Sequence, residues 1–70
     1  ITMYPNPVKD ILNFSEEVSQ ISIIDFSGKL IQQVSSKSKS VNVSQLPKGV
    51  YLVNVISKSG NTISKKLIVN

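Results

Sequence analysis

Val50-Tyr51-Leu52-Val53-Asn54-Val55-Ile56 is apolar at every position except Asn54. A run of this kind has no face that can look at water, so it reads as a central strand covered on both sides, with Tyr51, Val53 and Val55 on one face. Pro47-Lys48-Gly49 before it and Lys58-Ser59-Gly60-Asn61 after it are turns, with Pro and Gly in their favoured places. Beyond the second turn, Thr62 to Val69 reads as the returning last strand, with Ile63, Leu67 and Val69 in phase and Lys65 interrupting.

Working back toward the start, Val41 and Val43 form a short strand that Leu46 closes against the core, and Ser35 to Ser40 is a Ser/Lys loop. Asp25-Phe26-Ser27-Gly28 has Asp at the head of a turn and a Gly able to take positive φ, which predicts a hairpin with a bulge. Its arms are Val18 to Phe26 and Lys29 to Val34, the latter with Leu30 and Val34 on one face. Ser15-Glu16-Glu17 reads as a polar turn, preceded by a strand from 10 to 15 whose apolar face carries Leu12 and Phe14. Tyr4-Pro5-Asn6-Pro7 is stiffened by its two prolines and is excluded from the centre of any sheet.

The pattern therefore predicts an all-β chain of six strands, seven with the Pro-rich opening, and no helix. Strands of this length and turn density fit two antiparallel sheets packed face to face, with a closed barrel as the alternative. The expected core is Leu12, Phe14, Ile21, Ile23, Leu30, Tyr51, Val53, Val55 and Leu67. Seventy residues hold one domain, spanning 1–70, because a chain of this size buries only about 60% of its unfolded surface on folding. Nine Val, nine Ile and five Leu exclude a disordered tail.

Composition also limits the chemistry. The chain has no His, Cys, Trp or Arg, and its only acids are Asp10, Glu16, Glu17 and Asp25. Without His or Cys no metal site is expected, and a Ser nucleophile would have only Lys for a base, so the chain reads as neither an enzyme nor a cofactor protein. The longest apolar runs are strand-sized, which argues against direct membrane insertion. Eight Lys against four acids give a net charge of +4. The lack of Arg and the scatter of the Lys over turns and strand ends argue for solubility and edge protection rather than nucleic-acid binding. Lys65-Lys66 stands apart: adjacent strand residues face opposite ways, so one of the two faces the core side unless the strand is an edge. A sugar-binding surface needs an exposed aromatic, and Tyr4 is the only plausible platform, better explained as a lid on the sandwich.

Taken in order, Tyr4-Pro5-Asn6-Pro7-Val8-Lys9-Asp10, Leu12, Ile23-Ile24-Asp25 with Gly28-Lys29-Leu30, Leu46-Pro47-Lys48-Gly49-Val50-Tyr51 and the Lys65-Lys66 strand resemble a type IX secretion system C-terminal sorting domain of type A, over nearly the whole chain. Ile24 departs from the pattern, where the family often has Tyr before the Asp. The resemblance implies an immunoglobulin-like antiparallel β-sandwich carried behind an N-terminal cargo domain of the same chain in the Bacteroidetes. It also implies a secretion and sorting signal that the type IX secretion machinery recognises for transport across the outer membrane. A sortase-like peptidase would then cleave it off at the cell surface, after a route through the periplasm to the surface or medium. The lack of a charged and apolar leader ahead of Ile1 agrees with a piece taken from the tail of a larger exported protein.

Such a signal must present one surface for many cargoes, which strand edges and turns can do. The expected recognition residues are Tyr4, Pro5, Asn6 and Pro7, then Gly49 and Tyr51, then Lys65 and Lys66, with Gly49 also needed for its turn. The competing reading from the residues alone is a passive Ig-like spacer, or a carbohydrate-binding or adhesion module of a surface protein.

Overall fold

The computed structural model describes residues 1–70 and contains six strands and no helix: β1 (Met3–Tyr4), β2 (Ile11–Asp25), β3 (Leu30–Val34), β4 (Ser38–Asn42), β5 (Gly49–Ser57) and β6 (Thr62–Val69). Every strand pairing is antiparallel. The predicted central strand is β5, which pairs with β2 along one edge and β6 along the other. Both hairpin turns form as expected, Gly28 taking φ +92° at the end of the first.

The architecture turns on β2. Ser15-Glu16-Glu17 is not a turn; the chain runs through it as one strand of fifteen residues. Its ladders are interrupted on both sides here, between Asn13 and Val18 toward β4 and between Val18 and Gln20 toward β5. Such irregularities bend a strand and let it pass from one layer to another. The Ser19 hydroxyl sits at the bend and donates to the carbonyls of Ile56 and Ser57, at 3.1 and 3.3 Å. The first half of β2 lies between β1 and β4, and the second half between β5 and β3. β3 and β4 follow one another along the same side of β2, because Val18 meets Ser38 of β4 on one side and Ser57 of β5 on the other. The result is an immunoglobulin-like β-sandwich whose two layers share a single bent strand.

Between the layers lie Val8, Leu12, Phe14, Val18, Ile21, Ile23, Val41, Val43, Tyr51, Val53, Val55, Leu67 and Val69. Burying each of these side chains stabilises the fold by about 1.5–3 kcal/mol relative to exposure. Val50 and Leu52, on the other face of β5, are not covered: Leu52 is exposed and Val50 half-buried. Leu30 is a correction to the expected core, since half of it is exposed. An extra residue in β3, where the register with β2 shifts between Ile23 and Ile24, places Leu30 opposite Ile24 on the outer face, while Gln32 and Val34, opposite the buried Ile23 and Ile21, keep the inward phase. Tyr4 is likewise exposed rather than a lid, and the neighbouring Met3, opposite Phe14, packs against the core in its place.

Tyr51 is the one core aromatic with a polar tip. Its hydroxyl donates to the carbonyl of Pro47 at 2.5 Å, four residues upstream, so the turn before β5 is tied down from inside the sandwich. Sandwich domains use this corner bond to fix a loop against a buried strand.

Candidate recognition surface

The three regions singled out in the sequence meet at one strand, β6, which holds Lys65 and Lys66 and has the other two along its edges. β6 pairs with β5 along one edge, in a register that sets Gly49 against Val69 and Tyr51 against Leu67. Along its other edge runs the Pro-rich opening. Val8 forms a parallel bridge with Val69, its N–H donating to the Ile68 carbonyl and its own carbonyl accepting from the Asn70 N–H, both at 2.9 Å. Two residues earlier, the Asn6 side chain continues this ladder. Its Nδ2 donates to the Lys66 carbonyl at 3.1 Å, and its Oδ1 accepts from the Ile68 N–H at 3.0 Å. A side-chain amide has the same donor and acceptor as a peptide group, so Asn6 acts as one more rung where prolines on both sides supply no N–H.

This explains the Pro-Asn-Pro spacing. Pro5 and Pro7 remove two backbone donors, and the peptide bonds that precede them are both cis. The Asn between them restores the pairing through its side chain. Tyr4, Pro5, Asn6 and Pro7 are all exposed. Their side of the sandwich is closed over the edge of β6 by hydrogen bonds spanning 60 and 62 residues of sequence.

Lys65 and Lys66 are both exposed. Lys65 lies opposite the fully buried Val53 and so starts on the core side, while Lys66 lies opposite Leu52 on the outer face. Lys65 stays wet because β6 borders the sheet at that point, beyond the part covered by Asn6 and Val8. This is edge protection, a charged side chain pointing inward at the margin of a sheet to block further pairing. Gly49 has φ +156°, in a region that L side chains rarely adopt, and an added Cβ would meet only Cε1 of Tyr51, at 3.9 Å. Its requirement is conformational, not one of space. Tyr51 is buried, so it acts through the fold.

Sequence reasoning missed two features. Val8 is fully buried although prolines and charged residues surround it, and no alternation marks so short a segment. Phe26 is 83% exposed at the tip of the first hairpin. The signal for it was present, since a residue at the second position of a four-residue turn points away from both strands. Asp25 organises the turn beneath it: Oδ1 accepts from the Ser27 hydroxyl at 2.6 Å, from the Ser27 N–H at 2.9 Å and from the Lys29 N–H at 3.0 Å. These bonds, the Ser27 hydroxyl first and the Lys29 N–H second, hold the Asp25 carboxyl below its ordinary pKa.

A bent-strand sandwich whose first residues strap its last strand defines a small all-β module. The chain belongs to the secretion system C-terminal sorting domain family, whose model matches residues 2–70; these are the type IX sorting domains of the Bacteroidetes. Beta-agarase D of Zobellia galactanivorans is 24% identical over 71 residues, a match that covers 100% of this chain and 15% of the agarase. Domains of this family are sorting signals for secretion and not catalysts.

Proposed function

We propose that the folded module is the address by which the type IX machinery carries an attached N-terminal cargo across the outer membrane, after which a sortase-like peptidase removes the module at the cell surface. The observation that carries this reading is that the family match spans the whole folded unit, from the strand that meets Phe14 to the last residue of the strapped edge. A receptor that serves many cargoes needs a rigid feature independent of the cargo, and the β6 edge with its Pro-rich strap supplies one. In this reading Tyr4, Pro5, Pro7, Lys65 and Lys66 are available to be touched. Asn6, Gly49 and Tyr51 hold those surfaces in place.

The test is delivery. Residues 1–70 are fused behind a reporter that carries an inner-membrane export signal and expressed in a Bacteroidetes strain with and without a working type IX system. Surface or medium delivery that depends on the system is the expected result. Retention of a folded, intact fusion in the periplasm of both strains would refute the reading and leave the passive spacer.

A further inference from the structure

The edges of the two layers are not guarded alike. β6 carries Lys65 and Lys66 and is strapped by Asn6 and Val8. β4 has Lys39 at its second residue, and β1 is two residues long and runs straight into Pro5. β3, Leu30-Ile31-Gln32-Gln33-Val34, has neither charge nor proline and pairs only with β2. An unguarded edge of this kind is a template for another strand.

The backbone of that edge is placed for pairing. The Asp25 N–H donates to the Lys29 carbonyl, so the odd-numbered residues of β2 turn their peptide groups toward β3, where Ile23 faces Gln32 and Ile21 faces Val34. By strand alternation Gln33 turns its N–H and C=O the other way, into solvent. Its side chain folds back onto the sheet, Nε2 donating to the Ser22 hydroxyl at 3.4 Å, and Gln32 Nε2 reaches the Asn42 carbonyl at 3.1 Å, which steadies the strand. Beside the edge, Phe26, Leu30 and Ile31 are exposed by 83, 50 and 39%. They offer apolar contacts for alternate side chains of an added strand.

We infer that the β3 edge is a strand-addition site for an extended acidic segment of a partner protein. The charge argument selects that occupant. Exposed Lys29 and Lys37 stand just beyond the two ends of the strand, and Lys39 follows. In the hairpin itself the one carboxylate, Asp25, is engaged by three hydrogen bonds within its own turn, while Glu16 and Glu17 fall in the interruption of the β2–β4 ladder, beside β4 rather than β3. A second copy of this chain, paired antiparallel about the outward-facing Gln33, would bring the Lys29 of each copy opposite the Lys37 of the other, and like charges across a ladder are destabilising. A segment with Glu or Asp at its ends meets the opposite sign at both.

This inference rests on the sorting reading, with the acidic strand belonging to the secretion machinery. Its test compares delivery of the reporter fused to three forms of residues 1–70: wild type, Gln33→Pro, and the pair Lys29→Glu/Lys37→Glu. Proline is tolerated on an edge strand where the N–H faces solvent, and it removes that donor. Urea unfolding of each purified module checks that the fold is kept, and the paired variant, altered only at exposed positions, guards against Gln33→Pro failing to fold. The paired variant is expected to unfold close to the wild-type midpoint and Gln33→Pro, which also loses the weak bond to Ser22, somewhat below it but still cooperatively, and each to lose delivery by about tenfold or more, as when a main-chain pairing and its complementary charges are removed. Delivery of either folded variant at the wild-type level overturns the inference and leaves the sorting reading intact. Failure of the wild-type fusion refutes both. A concentration-dependent dimer in sedimentation that Gln33→Pro abolishes would identify a second copy as occupant and likewise overturn it.

Discussion

Asn6→Ala removes both the Nδ2 donor to Lys66 and the Oδ1 acceptor of Ile68 while leaving the backbone strap in place. A typical intramolecular hydrogen bond contributes a net ~0.5–1.5 kcal/mol. The two bonds of Asn6 are exposed, so water can replace them, and their joint loss is set at about 1–2 kcal/mol. For a domain this small the whole stability is roughly 3–10 kcal/mol at the usual per-residue range, so the loss is a sizeable share. With a urea m-value near 1 kcal/mol/M for a small protein, the midpoint should fall by about 1–2 M with m unchanged. Native-state amide exchange locates the effect, because the Ile68 N–H loses its acceptor and should exchange markedly faster, while the Val53 N–H in the centre of the sheet should change only by the global loss of stability. A midpoint shift under about 0.3 M with Ile68 still protected would refute the claim that the Asn side chain is a rung of the sheet.

Three other outcomes follow from the geometry. Tyr51→Phe leaves the buried ring in place but deletes the bond to Pro47, and should cost about 1–3 kcal/mol, lowering the melting temperature by several degrees in a calorimetric scan. Gly49→Ala should cost about 1–3 kcal/mol in urea unfolding although space exists for the methyl, since the cost comes from φ; a neutral substitution would show that the turn can relax to negative φ. The Asp25 carboxyl titrates below its ordinary value, so in NMR-monitored titration Ser27→Ala should raise its pKa. A depressed folded-state pKa contributes stability that is present above the unfolded value near 3.8 and is lost as pH falls through the folded value, so Ser27→Ala should lessen the acid sensitivity of the hairpin.

Much of the fold was legible because its strands obey a period of two. The β5 run and its flanking turns could be assigned from residue type alone, and eight of the nine residues expected inside are inside. The misreadings fall where that period breaks. Ser15-Glu16-Glu17 has the composition of a turn, and an exposed bend within a continuous strand selects the same polar residues, so composition cannot separate them. Leu30 was assigned by counting back from Val34, and the one extra residue, Ile31, reversed its face. The residues of the candidate surface could be picked out as motifs, and the bonds of Asn6 could not, because a side chain that stands in for a peptide group leaves no periodic trace and its partners lie some sixty residues away. The distinction between β3 and the other edges becomes visible only when the pairings show which strands have a free side.

The strap along β6 also sets an order in time. Of these residues, those of β6 leave the ribosome last, and the segment they must receive, Asn6 to Val8, leaves nearly first. Contacts of such long sequence separation are slow to form because the loop must close before it is rewarded. The core cannot shut around Val8, Leu67 and Val69 until both segments are present, so a chain cut short by even one strand exposes apolar surface and displays no finished edge. The strapped edge is thereby a sign that the module is whole, since it takes shape only when everything between Asn6 and Asn70 has been made and folded.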